Sequence, residues 1–482
     1  MPSPHGARYN RARGRLGGRW PAGSYAKLAI SATVNGASGT RGAIIRFSDE
    51  FRWFFLRAAG GFAGLIVPSV VASKAVMTAV FALAVGCAAI GIMPRLFRVD
   101  GWRAIGAELK QPFALAIFAM LAWSLVSALV GLAPGRSLAA WGWTAGLLGL
   151  GWLLAGALRE DERAIAEALW SLVVTSLICI GAALAAAYLW PGVVDPFGIR
   201  GVDDFHDARQ KLKSYGSIAP VLAPLVVWAA WRLGGVWRIA GLVYIPLAAV
   251  LVLTVSSRAG FLGAASIGLA LAVAFMLTRL GQRAASWAAA ALGVAAVAGT
   301  IVFASYLPKP PIAGLQDYRI SRTFQVHRQA IWGFAVHHAL RAPVFGYGPD
   351  AARLIPGANK RVGWFAHEYV PSHVHNWIFQ ALVETGFVGL AATLVVVIML
   401  FGRFVRAAAR RRGVGWAGVA MMGAFFGSWL ANFSLWAAWW QLTIVVLSAI
   451  LLAAIDGGAP PITNTGRRAP LKGIARTGGG GP

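Results

Sequence analysis

The densest chemical signal in the chain is Ser372-His373-Val374-His375-Asn376-Trp377, followed closely by Glu384-Thr385-Gly386 and Gly389. An imidazole titrates near working pH, so a histidine at a membrane–water boundary suits general-base work. The plainer alternative is an interfacial histidine that only carries its ring to water. His373 and His375 point the same way if the segment is extended and different ways if it is helical. A metal site is disfavoured: tetrahedral zinc takes three or four ligands, and no Cys cluster or H-E-x-x-H pattern supplies them. Glu384 follows at a spacing that puts it about 13 Å further along a helix. That depth favours a structural carboxylate over one touching a water-soluble sugar.

Cationic chemistry is offered at two further places. Ser256-Ser257-Arg258-Ala259-Gly260 forms a tight junction between apolar runs. A guanidinium there must face a cavity or an anion, and its fork of donors suits pyrophosphate or a lipid headgroup phosphate. The stretch from Arg322 to Trp332 has helical spacing, with Phe324, Ile331, Phe334 and His338 on one face and Arg328 and Trp332 on another. It predicts a helix along the membrane interface, anchored by Trp332 and ending at Arg341-Ala342-Pro343. Gly346-Tyr347-Gly348-Pro349 then reads as a turn cluster and not as a nucleotide-binding fingerprint. Asp203-Asp204-Phe205-His206-Asp207 could chelate a divalent cation on paper, but reads more readily as a solvated loop.

The elements that must position these groups are membrane spans. Of 482 residues, 58% are hydrophobic and only 13% charged, which excludes an ordinary soluble enzyme. The formal net charge of +27 points to loops facing anionic lipid rather than to nucleic acid. Cys87 and Cys179 both lie in apolar runs, so no disulfide framework is expected. The fold expected is an all-α polytopic membrane protein with twelve spans near 58–73, 75–93, 112–132, 138–156, 164–190, 214–231, 239–256, 259–277, 285–305, 375–401, 414–432 and 436–455. Residues 1–57 form a basic arm, expected to be disordered and cytoplasmic, and 456–482 a low-complexity cytoplasmic tail. With both termini inside, Arg95, Arg159, Arg163, Arg232, Arg238, Arg279, Arg283 and the run Arg410-Arg411-Arg412 all fall in cytoplasmic turns. Two external loops, 191–213 and 306–374, stay basic against that rule.

Taken in order, these motifs resemble the O-antigen ligase and O-antigen polymerase superfamily of bacterial envelope glycosyltransferases. The resemblance is carried by Arg200-Gly201, Ser257-Arg258-Ala259-Gly260, Arg328 with Trp332, Pro343 with Gly346 and Gly348, His373-x-His375-Asn376, and Glu384-Thr385-Gly386 with Gly389. It covers roughly 55–455. After Arg200-Gly201 the chain lacks the Pro-Asn frequent in that family. The resemblance implies a bacterial inner-membrane enzyme with a periplasmic active site. Such an enzyme moves glycan from an undecaprenyl-pyrophosphate donor to an acceptor hydroxyl, with inversion and without a metal or other cofactor. It further implies His375 as the base, Arg258, Arg328 and, as a third, Arg200 as pyrophosphate holders, and His373 and Asn376 as orienting groups. The acceptor is lipid A–core in ligases and another lipid-linked repeat in polymerases, and the motifs are common to both. Rival readings are a lipid-linked glycan flippase, a small-solute transporter and a non-catalytic assembly scaffold. A flippase needs charges lining a membrane path, yet Glu167 and Glu384 are the clear intramembrane acids.

Overall fold

The computed structural model describes residues 49–96, 99–195, 201–322, 325–362, 367–410 and 412–457. The basic arm up to residue 48, the tail from 458 and Arg200 lie outside them. Fifteen α-helices form: α1 (Asp49–Ile66), α2 (Lys74–Leu96), α3 (Val99–Leu109), α4 (Pro112–Val130), α5 (Pro134–Glu160), α6 (Glu162–Tyr188), α7 (Phe205–Lys211), α8 (Lys213–Leu233), α9 (Trp237–Thr254), α10 (Arg258–Arg279), α11 (Gln282–Ser305), α12 (Val326–Ala339), α13 (Trp377–Ala409), α14 (Gly413–Trp429) and α15 (Ala438–Asp456). Among the described residues there is no β-strand, only one isolated bridge between Arg361 and Glu368. The all-α polytopic expectation is met.

Ten helices, not twelve, are long and apolar enough to cross a membrane among the described residues: α2, α4, α5, α6, α8, α9, α10, α11, α13 and α15. The two shortfalls have different causes. α14 is only 17 residues long and lies packed along α10 and α13. α1 opens with Asp49, Glu50 and Arg52, and Pro68 breaks its continuation into a short 3-10 helix, Pro68–Val71. Residues 49–57, expected in the arm, are therefore the first turns of α1.

Helix boundaries follow local chemistry. Pro112 and Pro134 open α4 and α5, where a missing amide proton costs nothing. Asp161, Asp204, Ser257 and Asn376 cap α6, α7, α10 and α13 through their side-chain oxygens. Asp204 thus spends its carboxylate on the Asp207 amide, 2.7 Å away.

Small residues let the backbones close up. On α1, Gly60 lies on the Ala164 carbonyl and Gly64 on the Ala168 carbonyl of α6; on α14, Gly423 and Gly427 lie against Ser266 of α10. One end of the bundle is stitched by ion pairs. Glu160 takes Arg52 at 2.7 Å and Arg95 at 2.5 Å, Asp161 takes Arg57 at 3.2 Å, and Arg159 reaches Glu108 and Asp456. The opposite end carries the histidine segment and the 306–374 loop. α11 is the exception to this packing: among its described side chains none in the apolar window is buried, and its contacts are sparse, chiefly with α10 and α12 and through Phe303 with Phe379 of α13.

Candidate active site

The histidine segment is not the start of a span, as the sequence suggested, but a strained turn ahead of one. α13 begins at Trp377 because Asn376 caps it, its Oδ1 accepting from the amides of Ile378 at 3.0 Å and Phe379 at 3.3 Å. The Asn376 Nδ2 donates to the Leu430 carbonyl at 3.2 Å, fixing the turn to the end of α14. His375 has φ +57°, the left-handed region that a residue with a Cβ rarely enters. Its neighbours hold it there, for Val374 is fully buried and its carbonyl accepts the Trp332 indole proton at 3.1 Å. Trp332 therefore packs inward, against Phe303 and Phe379, and is not an interfacial anchor.

The strained turn brings both imidazoles to one place. The rings of His373 and His375 lie 3.9 Å apart, centroid to centroid, tilted by 46°. Nδ1 of His373 meets the Ser372 hydroxyl at 3.0 Å, while His373 Nε2 and His375 Nδ1 are buried with no hydrogen-bond partner. Buried polar atoms are seldom left so, which marks the place where a ligand's polar group fits. Burial, then the neighbouring His373 and Arg328, push the His375 pKa down to about 3, against a favourable hydrogen bond to the Asn432 side chain. Burial and Arg328 push His373 to about 4. Both rings are neutral at neutral pH and free to accept a proton.

The arginines converge on the same spot from other elements. Arg328, in the first turn of α12, is partly buried, and burial followed by the charge of Arg258 lowers its pKa. Arg258 is the exposed first residue of α10. Its cap Ser257 accepts from the Gly260 amide at 3.1 Å and shares a proton with Ser217 at 2.9 Å, which ties α10 to α8. Among the described residues neither guanidinium has a carboxylate partner. Two unneutralised cations close enough for one to act on the other, beside a helix amino terminus, suit an anion with several oxygens.

Glu384 and the glycine motifs build the platform beneath. Glu384 is 1% exposed, and its carboxylate accepts from the Ala352 amide at 3.0 Å, from Gln380 Nε2 at 3.3 Å and from the Trp436 indole. The structural role expected for it fits this geometry. Gly346 has φ +67°, and a Cβ there would stand 2.4 Å from the Glu384 carbonyl carbon. Gly386 has φ +71°, and a Cβ would stand 2.0 Å from the Val344 oxygen. The amides of Tyr347 and Gly348 bond the carbonyls of Val383 and Glu384 at 3.0 and 2.8 Å. Gly348, at φ +99°, presses against Gly131 and Ser137. The two motifs are thus halves of one backbone-to-backbone contact.

Below this platform a cavity of about 540 Å³ runs between α4, α5, α13, α14 and α15. Its wall is largely aliphatic and aromatic, with Trp141, Leu147, Val397, Leu400 and Ile444. It reaches Glu108 and Asp456 at the ion-paired end and Trp429 and Trp436 at the other. It holds neither histidine, but Trp429 stacks on Trp377, the residue after Asn376. A smaller cleft of about 260 Å³ opens between α11 and α13 and touches Asn376 itself.

Of the residues singled out by sequence, the fold brings His373, His375, Asn376, Arg258, Arg328 and Trp332 together and sets Glu384, Gly346 and Gly348 behind them. Asn432, which bonds His375, was not singled out. Its signal was Asn432-Phe433-Ser434, a polar interruption between two apolar runs.

Comparison with known proteins points the same way. Residues 242–394 match the family model described as O-antigen ligase. Proteins provisionally named polysaccharide ligases, from Rickettsia prowazekii and Rickettsia typhi, are each 25% identical over 150 residues, covering 28% of this chain and 35% of the relative. One from Rickettsia conorii is 22% identical over 145 residues, covering 28% of this chain and 34% of its own. The chain thus spans about a third of the length of these relatives. The matched segment contains Arg258, Arg328, His373, His375 and Glu384.

Proposed function

For a multi-pass membrane protein whose segment 242–394 matches the O-antigen ligase family, we propose a lipid-to-acceptor glycan transfer at the His375–Arg328–Arg258 cluster. The donor is an undecaprenyl-pyrophosphate-linked glycan and the acceptor a hydroxyl of lipid A–core, reached at the periplasmic face of the bacterial inner membrane. The observation that carries this reading is a neutral, buried imidazole with an unpartnered nitrogen beside the uncompensated Arg328 guanidinium, which in turn lies near that of Arg258.

In this reading His375 accepts the acceptor's proton as the hydroxyl oxygen attacks the anomeric carbon. The new C–O bond forms as the bond from that carbon to the pyrophosphate oxygen breaks, and the electron pair leaves with the pyrophosphate. Arg258 and Arg328 hold the charge that develops there, which is electrostatic stabilisation by preorganised donors. Arg200 is a third holder. A single displacement inverts the anomeric configuration. The cationic pair supplies the countercharge, so the step needs no metal. His373 and Asn376 orient the base, and the long apolar cavity takes hydrocarbon of the lipid carrier.

The test is an envelope glycolipid gel from cells lacking the gene, complemented with the wild-type protein or with His375→Ala. Long glycan missing from lipid A and accumulating on the undecaprenyl carrier supports ligation. Single-repeat chains on lipid A indicate polymerisation. A profile unchanged by the deletion overturns both and favours transport.

A further inference from the structure

A second cationic cluster lies at the far end of α12, outside the site just described. Pro308 packs its carbonyl directly on Gly333, where a Cβ would stand only 1.9 Å away. That contact puts Lys309 beside the last turns of α12. His337 follows Gly333 by one helical step of four, and Arg341 sits in the turn just past the end of α12, its amide bonded to the His338 carbonyl at 2.9 Å. The charges of Arg341 and Lys309 both depress the His337 pKa, after burial, as convergence requires. Lys309 and Arg341 are exposed, and Pro308 and Pro310 hold the Lys309 backbone in place before any ligand arrives.

Two of the three acids of this loop, Asp350 and Asp317, are committed elsewhere. Asp350 pairs with Arg136 at 2.6 Å, and Asp317 accepts from the amides of Ala313 and Gly314. Among the described residues Lys309 and Arg341 have no ion pair. At the opposite end of the bundle Arg52, Arg57, Arg95 and Arg159 are all paired. A helix carboxyl terminus favours a cation such as Arg341, but it does not account for Lys309, which arrives from another segment.

We propose that Lys309, His337 and Arg341 form an anion subsite for the glycan itself, gripping a carboxylate on its sugars. Its His337 lies roughly 13 Å along α12 from Arg328. The chosen ligand rests on the glycan-transfer reading, but the binding test stands apart from it. One helix then presents one end to the pyrophosphate and the other to acidic sugars some way along the chain, selecting acidic over neutral polymers.

The test uses the full chain in neutral-lipid nanodiscs, with oligogalacturonate, a neutral dextran oligomer of matched length and inorganic pyrophosphate as probes. Lys309→Gln/Arg341→Gln weakens oligogalacturonate binding about tenfold at low salt, an effect that shrinks as salt rises, and leaves pyrophosphate binding unchanged. Lys309→Arg/Arg341→Lys restores the binding, and both variants melt within a few degrees of wild type. Equal binding of dextran and oligogalacturonate overturns the subsite, as does an unchanged affinity in the double Gln variant. A Gln variant that loses only melting temperature assigns the cations to helix stability. Binding of anionic vesicles but not oligogalacturonate assigns them to lipid. If pyrophosphate alone fails to bind, the transfer reading falls and the subsite stands.

Discussion

The His373 and His375 rings lie 3.9 Å apart, centroid to centroid, with one unpartnered, buried nitrogen each, because His375 occupies the left-handed region between Val374 and Asn376. Two imidazoles this close cannot both be charged beside Arg328, so the pair is held neutral. A base at neutral pH follows from packing and not from a carboxylate partner.

Transfer should therefore show no histidine limb near pH 6.5 in kcat/KM, the parameter that reports the free enzyme. Bound pyrophosphate adds negative charge beside Arg258 and Arg328, which raises the His375 pKa from about 3. The acidic limb of kcat then lies at higher pH than that of kcat/KM, measured on purified protein with a lipid-linked donor. His375→Ala lowers kcat by about 10²–10⁴, and Asn432→Ala by about tenfold. Coincident limbs would contradict the coupling.

The same burial sets an acid limit to stability. Folded His375 and His373 titrate at about 3 and about 4, against 6.5 when unfolded, so the unfolded chain binds more protons in that window. Stability is full above pH 6.5 and falls toward pH 4, on the order of 1 kcal/mol per histidine per pH unit. Thermal melts of wild type and His373→Gln/His375→Gln in detergent check this. The double variant should have the shallower slope, and parallel slopes would sink the argument.

Arg258 and Arg328 should not tolerate lysine. A lysine keeps the charge and loses the fork, so each Arg→Lys variant should lose about tenfold in kcat/KM, and each Arg→Gln about 10²–10³. Competition by inorganic pyrophosphate reads the same loss as weaker inhibition.

Much of this was legible beforehand. Helix content follows from the apolar runs, and the grouping of the histidines with Arg258 and Arg328 is what the family resemblance implies. The platform did not follow. Gly346-x-Gly348 and Glu384-Thr385-Gly386 read as a turn and a span, and only their mutual contact explains them. Trp332 looked amphipathic and interfacial because its partner, the Val374 carbonyl, is distant in sequence. Of the twelve expected spans, α1 and α14 stand apart for different reasons: α1 carries Asp49, Glu50, Arg52 and Arg57, while α14 is apolar but only 17 residues long.

The platform makes a sharp mutational contrast. Gly386→Ala and Gly346→Ala combine positive φ with backbone overlap and should cost several kcal/mol or prevent folding. Gly142→Ala, in mid-α5 with nothing within 4 Å, should be neutral or stabilise by up to about 1 kcal/mol. Melting temperature and expression level decide it.

Glu384→Ala leaves the Ala352 amide, Gln380 and Trp436 without their acceptor and should cost about 3 kcal/mol. Glu384→Gln keeps an acceptor oxygen and should recover a substantial part of both melting temperature and turnover. Full stability with abolished turnover in Glu384→Gln would instead make it a participant in the chemistry.

The stitched end of the bundle bears on how the chain is assembled. Arg52 and Arg57 of α1 find their acids only in Glu160 and Asp161, and Gly60 and Gly64 find their groove only on α6. During synthesis α1 emerges well before either partner exists. Helix α1 thus waits for α6 before it is secured, and truncations ending before α6 should leave it open to extraction or proteolysis.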